Sequence, residues 1–182
     1  MAKVLLIALL SILLAGCLGS PEGVVAIDGF DKQRYLGRWY EVARLDHSFE
    51  RGLSNVTAEY SLREDGGIRV INRGYSSEAS AWQEAEGRAY FVADERQGHL
   101  KVSFFGPFYG SYIIFEMDKS DYGYAFVAGN STDYLWLLAR TPTISPLLRE
   151  QFIQQVTKLG FDPEALIFVD QGLNKPPAAE AN

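Results

Sequence analysis

The sequence predicts a mostly β fold: an eight-stranded antiparallel up-and-down β-barrel, with one C-terminal α-helix packed outside it and a short final strand. Three observations predict it. Aromatic residues make up 13% of the 182-residue chain, beside 17 glycines, a balance that favours strands and turns over a helical bundle. Turn signals (Arg51-Gly52, Asp65-Gly66-Gly67, Gln97-Gly98, Gly106-Pro107, Gly129-Asn130) recur about every ten to fifteen residues between residues 37 and 130. Between them, apolar and polar residues alternate with the period of a half-buried strand. The composition, 47% hydrophobic and 22% charged, excludes a disordered chain, a collagen and a polytopic membrane protein, and the length fits one domain.

The elements follow in order. The first strand lies in residues 35–44. In the second, Val56, Ala58, Tyr60 and Leu62 alternate with Asn55, Thr57, Glu59 and Ser61. In the third, Ile68 and Val70 flank Arg69, and Ile71 breaks the pattern. Leu100, Val102 and Phe104 alternate with Lys101 and Ser103. These read as antiparallel strands with one buried face. Residues 112–115 and 134–139 are apolar on both faces, so something must cover their outer side. The helix supplies that cover. Ser145 is its N-cap, Pro146 suits its first position and Glu150 sits near its positive end. Leu148, Phe152, Val156 and Leu159 form one apolar stripe, Lys158 lies in the last turn and Gly160 supplies the left-handed stop. Residues 166–169 add a short strand, and residues 174–182 read as a disordered tail. Eight consecutive strands with hairpin-length connections close naturally into a barrel; a two-sheet sandwich of the same strands is the alternative.

The N-terminus has a separate role. Lys3 precedes an apolar run over residues 4–15, broken only by Ser11, which is short for a membrane span and right for the core of a signal peptide. The run ends Leu14-Ala15-Gly16-Cys17, which resembles the lipobox of bacterial lipoproteins. That resemblance implies cleavage before Cys17, thioether linkage of its sulfur to diacylglycerol and acylation of its new amine. Several acyl chains make a stable anchor where one does not. With Leu18, rather than Asp, after the cysteine, the resemblance to bacterial lipoproteins implies the outer membrane, with the periplasmic face as the expected side. The chain thus divides into a signal peptide (1–16), a lipidated, flexible tether (17–23), a folded domain (24–173) and the tail. Removing the signal peptide takes Lys3 with it and moves the net charge from −6 to −7. No basic surplus remains for nucleic acid or for anionic headgroups. Cys17 is the chain's one cysteine, so an intrachain disulfide and a cysteine-based metal site are excluded.

The segment Tyr35-Leu36-Gly37-Arg38-Trp39-Tyr40-Glu41-Val42-Ala43-Arg44 carries Gly-x-Trp and resembles the first signature of the lipocalins. Arg140, in Leu137-Leu138-Ala139-Arg140-Thr141-Pro142, matches the family's arginine after the last barrel strand. Residues 46–52 and 103–110, with the lipobox, resemble bacterial outer-membrane lipocalins. The resemblance implies that Trp39 plugs the closed end of the barrel, that Arg140 lies across it and that Gly37 lets the backbone pass close by. The literal Thr132-Asp133-Tyr134 stands too near Arg140 to be the family's second signature, and Asp118 is the better positional match. Gly37, Trp39, Asp118 and Arg140 are therefore expected to hold the barrel end and not the ligand.

No catalytic constellation stands out. His47 and His99 lie in or near loops without a second ligand at metal spacing, and they read as surface residues. There is no G-x-S-x-G elbow and no phosphate loop before the helix. The carboxylates read as solvated exterior, so no enzyme, cofactor or metal is expected. Strand parity, with the lipocalin pattern, predicts a lumen lined by Ala58, Tyr60, Val70, Asn72, Ala85, Gly87, Ala89, Phe91, Val102, Phe104, Tyr112, Ile114, Tyr134 and Trp136. The small residues of the fourth strand should leave volume unfilled. Leu135 and Leu137 should face the helix, and Glu116 faces either lumen or solvent. Such a lumen suits an acyl chain at about 0.8 kcal/mol per buried methylene, and the expected partner is a fatty acid or lysophospholipid. The resemblance adds storage or transport of lipid in envelope maintenance. Phe49, Arg51, Phe108 and Tyr109 are expected at the mouth, where exposed aromatics also fit a homodimer contact. A barrel enzyme acting on an apolar substrate is the rival. It would need an inward acid or base, and parity offers only Glu116 and tyrosines.

Overall fold

Eight strands follow one another up and down and close on themselves in the computed structural model, which describes residues 18–172. The signal peptide, Cys17 and the tail lie outside the described residues. After a short helix α1 (Lys32–Tyr35) come β1 (Gly37–Arg44), β2 (Leu53–Leu62), β3 (Ile68–Ser76), β4 (Ala81–Phe91), β5 (His99–Ser103), β6 (Gly110–Met117), β7 (Tyr124–Ala128) and β8 (Leu135–Ala139). Helix α2 (Pro146–Lys158), a 3₁₀ turn (Pro163–Ala165) and β9 (Ile167–Phe168) complete the chain. From β1 to β8 every strand pairs with its neighbour in sequence, and β1 pairs with both β2 and β8. That closure decides for the barrel over the sandwich, and it removes sheet edges.

A barrel with a helix packed on its outside needs two apolar layers, and the strands supply both. Inside the barrel, Trp39, Tyr60, Ile68, Val70, Leu100 and Ile114 belong to one buried cluster. Outside, Ile113, Phe126, Leu135 and Leu137 meet Phe152 and Val156 of α2 in a second. Phe126 and Phe152 pack edge to face, with ring centroids 4.8 Å apart. The two-faced apolar runs in β6 and β8 are thus explained by a lumen on one side and a helix on the other. Helix α2 is capped as its sequence implies: Ser145 Oγ accepts from Leu148 N at 3.2 Å, and Gly160 stops the helix at φ +81°. The final strand β9 pairs with β1 through Ala43–Phe168 and Arg44–Ile167.

Two features depart from simple parity. The β6–β7 register shifts between Ile114 and Glu116, so Phe115 and Glu116 both turn outward. Glu116 accepts from Gln155 Nε2 of α2 at 3.5 Å, which removes it from the lumen. Residues 18–23, expected as a flexible tether, lie along the barrel wall instead. Gly19 O accepts from Ser111 Oγ at 2.8 Å, Pro21 is buried and Val24 joins the outer core. Farther along, Ile27 N donates to Ile114 O and Gly98 N to Ile27 O. The segment therefore runs along the outside of β6 from the loop end and turns in toward the α1 end, where Ile27 packs against the inner cluster.

Candidate functional site

A cavity of about 560 Å³ occupies the barrel and opens among the loops at 45–52, 104–109 and 129–134. Eleven of the fourteen residues expected in the lumen line it: Ala58, Tyr60, Val70, Asn72, Ala85, Ala89, Val102, Phe104, Tyr112, Tyr134 and Trp136. Three do not. At Gly87 a side chain would come within 2.8 Å of the Phe104 ring, so that ring fills the space the glycine opens. The β4–β5 register, Arg88 opposite Ser103, places them side by side. Phe91 lies at the closed end, 5.9 Å from Phe30, and Ile114 is wholly buried in the packed layer below the cavity.

The mouth residues Phe49, Phe108 and Tyr109 border the opening, together with Phe105, which sequence reasoning passed over. Arg51 does not border it; its guanidinium pairs with Asp46 at 2.8 Å on the surface.

Three tyrosines make the one polar spot in the floor. Tyr112 OH lies 2.7 Å from Tyr35 OH and 2.9 Å from Tyr60 OH. Burial pushes all three phenols well up, so they stay neutral hydrogen-bonding groups. Beneath them Trp39 is fully buried and donates its indole N–H to Tyr35 O at 2.8 Å. The Arg140 guanidinium sits 3.9 Å over the Trp39 ring and donates to Arg34 O, Leu36 O and Arg38 O. Gly37, at φ +88°, takes a backbone conformation that favours glycine, with Arg140 Nη1 3.6 Å from where a Cβ would stand. Asp118 accepts from the N–H groups of Ser120, Asp121 and Gly123 in the β6–β7 turn. Desolvation opposes its ionisation, yet these N–H groups hold its carboxyl below the usual range. Asp133 only joins a local turn with Ser131.

The wall on the β1 side holds charges that were expected outside. Glu41 and Glu50 both line the cavity, yet they are only 3% and 6% exposed. Arg44, equally buried, donates to Glu41 Oε1 at 2.7 Å, Glu50 O at 2.9 Å and Leu53 O at 3.2 Å. Glu50 Oε2 accepts from Trp136 Nε1 at 3.1 Å and lies 2.9 Å from His47 Nε2. His47 is therefore a buried residue, not a surface one, packed against Phe49 and Trp136. The reading of carboxylates as exterior fails for this pair. One signal was present: Glu41 shares strand parity with inward Trp39. Nothing comparable marks Glu50, because the loop between β1 and β2 has no period.

The two carboxyls are pushed apart. Burial, then the charge of Glu50, raises Glu41 well above the usual carboxylate range, and these outweigh Arg44. Burial also opposes ionisation of Glu50, but His47, Trp136 and Glu41 hold its pKa down. The proton thus stays on Glu41 and the charge on Glu50. A carboxyl raised in the folded state adds stability that is complete below its unfolded value and is lost as pH rises through the folded one. Glu41→Gln, which keeps shape without the charge, is expected to melt higher than the wild type on the alkaline side and to flatten the decline of stability with rising pH. Thermal melts across about pH 5–9 read this directly.

Comparison with known proteins places this geometry. A lipocalin-like domain model matches residues 30–171. The chain is 59% identical over 169 residues to an outer membrane lipoprotein, Blc, of Vibrio cholerae, covering 93% of this chain and 99% of that one. It is 52% identical over 151 residues to the Blc lipoprotein of Escherichia coli K12, covering 83% and 85%. Among solved structures, insecticyanin of the tobacco hornworm superposes with TM-score 0.65 at 20% identity, covering 85% of this chain and 88% of that one, a likeness of fold. The outer membrane localisation implied by the lipobox is the one these bacterial relatives carry in their names. Signature residues, closed barrel, outer helix and relatives agree, and the chain belongs to the lipocalin family.

Proposed function

We propose that the barrel holds the acyl chain of a fatty acid or lysophospholipid, and that the protein stores or carries such lipids at the outer membrane for envelope maintenance. The observation that carries this is the cavity itself: about 560 Å³, within the range of small-molecule sites, open at one end and walled largely by aliphatic and aromatic side chains. Val70, Ala89, Leu100 and Val102 give such a chain an uncharged wall; of the charged residues on the lining, Arg73 and Glu84 pair with each other at 2.6 Å, which leaves Glu41 and Glu50. Those carboxyls are engaged by Arg44, Trp136 and His47, which favours a structural role for them over the acid–base role that the rival enzyme reading requires.

Ala85 tests the reading. It lines the cavity beside Asn72 on β3, in a position open enough to take a larger side chain. An indole that displaces as few as two methylenes of ligand removes about 1.6 kcal/mol, slightly more than tenfold in affinity. Ala85→Trp is therefore expected to weaken binding of a fluorescent fatty acid at least about tenfold with an unchanged melting temperature. Unchanged affinity would place the ligand outside the lumen.

A further inference from the structure

The geometry points to the three phenols at the floor of the lumen, Tyr35, Tyr60 and Tyr112, as a subsite for a hydroxyl at the leading end of the ligand. The ligand class that this subsite takes is an acyl chain hydroxylated at its tip. This rests on the acyl-chain reading of the lumen and adds to it the kind of chain that the floor recognises.

Three separate elements bring the hydroxyls together. Tyr35 ends α1, Tyr60 lies on β2 and Tyr112 on β6, and all three line the cavity. Tyr112 OH stands 2.7 Å from Tyr35 OH and 2.9 Å from Tyr60 OH. Tyr35 and Tyr60 are 2% and 7% exposed, while Tyr112 is only partly buried. Burial raises all three phenols well above their ordinary value, so each keeps its proton. Three hydroxyls offer more acceptor lone pairs than protons. However the protons are shared within the cluster, acceptor capacity is left over, and a phenol that turns its proton outward becomes a donor. The cluster can therefore accept from a ligand hydroxyl, donate to it, or do both.

Closing the barrel does not require these hydroxyls. Trp39 and Arg140 close the end beneath them, and the Trp39 indole bonds to the backbone carbonyl of Tyr35, not to its phenol. The Tyr35 ring lies 4.7 Å from that of Trp39 and 5.2 Å from that of Tyr60, contacts that phenylalanine would also make. Three phenylalanines would give the methyl end of a plain chain an apolar floor. Instead the tip of the chain meets oxygen. The wall next to it is apolar: Val70 stands opposite Tyr60 in the β2–β3 register, with Ala89, Leu100 and Val102 around it. A few placed polar groups in an apolar pocket fix how a ligand lies, and here they mark the far end. A hydroxyl suits them better than a carboxylate does. Among the described residues the lining has one cation, Arg73, and Glu84 holds it at 2.6 Å, so an anion led to the floor would shed its water without a countercharge.

The test offers the acylated full-length protein three lysophosphatidylcholines, whose headgroup is too polar to enter first. One carries a plain hexadecanoyl chain, one the same chain with a hydroxyl on its terminal carbon, and one with the hydroxyl at mid-chain and a deuterated headgroup as a mass label. Native mass spectrometry of equimolar mixtures reads which is taken up. The wild type is expected to take the terminal isomer over the mid-chain isomer by about tenfold, because only the first meets the phenols. Tyr112→Phe, which removes the hydroxyl that touches both others, is expected to bring the two isomers to near parity and to shift uptake from the terminal isomer toward the plain chain. Tyr60→Phe repeats the comparison should the first variant fold poorly, and the isomer contest in the wild type needs no variant. Equal uptake of the two isomers by the wild type overturns the proposal and moves the subsite up the wall, to Asn72 opposite Ala58. So does a preference that survives loss of the phenols. Uptake of the plain chain without discrimination between the isomers leaves the acyl-chain reading standing and sinks this one; uptake of none of the three sinks both.

Discussion

Arg44→Ala is expected to destabilise the protein by about 3–5 kcal/mol, the cost of leaving one buried carboxyl and two buried carbonyls without their donor. Arg44 is 1% exposed, and its guanidinium reaches three oxygens from two directions: Glu41 on its own strand, and Glu50 O and Leu53 O on the loop that leads into β2. Alanine leaves a buried carboxyl and two buried carbonyls without these donors, and it releases the loop that carries His47, Phe49 and Glu50. The effect belongs to the unpaired partners more than to the pair. Glu41→Leu combined with Arg44→Met, which removes the carboxyl together with its donor and fills the space with apolar volume, should therefore cost less than Arg44→Ala alone, because only the two carbonyls then lack a donor. Urea unfolding followed by tryptophan fluorescence measures all three proteins. A loss under about 1 kcal/mol for Arg44→Ala would mean that water reaches the site and that the network does not hold the loop.

The same residues show where the sequence is legible and where it is not. Period-two alternation identifies which face of a strand points inward, because side chains alternate without exception in a regular strand. Ala58, Tyr60, Val70 and Asn72 reach the cavity by that rule. Parity carries no information on depth, so Phe91 and Ile114 face inward yet pack below the cavity, at the closed end. Nor does it report what stands beside a small residue. Gly87 is inward and small, but the neighbouring strand lays Phe104 over it. Register shifts break the rule outright, as at Glu116, where one extra residue in β6 turns the carboxylate to the helix. Burial of Glu41, Glu50 and His47 was hidden for a different reason. Charged residues are mostly exposed unless paired, and their partners here come from three separate places: β1, the β1–β2 loop and β8. No spacing in the chain announces such a meeting. The closed end was more legible because its parts are carried by motifs, Gly37-x-Trp39 and Arg140, whose geometry repeats.

That closed end provides the second large expected effect. Arg140→Ala should cost about 2–4 kcal/mol, the loss of several charge-assisted hydrogen bonds and a cation–π contact, reduced because the guanidinium is only half-buried. Arg140 donates to Arg34 O at 2.7 Å, Leu36 O at 3.0 Å and Arg38 O at 2.8 Å. The first two belong to the end of α1, where carbonyls have no partner within the helix, and the third to the start of β1. One planar group thus joins the incoming chain to the first strand while covering the face of Trp39 at 3.9 Å. Arg140→Lys keeps the charge but offers a single ammonium in place of a fork, and it cannot lie flat on the ring. It should recover less than half of the lost stability. Thermal melting reports the loss, and near-ultraviolet circular dichroism reports release of the Trp39 ring. Binding supplies the discriminating measurement. Arg140 lies below the tyrosine floor and does not border the cavity, so affinity for a fluorescent acyl chain should be unchanged at temperatures where the variant is folded. A parallel fall in affinity and stability would show instead that the floor moves with the plug, and that the barrel end helps to set the depth to which a chain can enter.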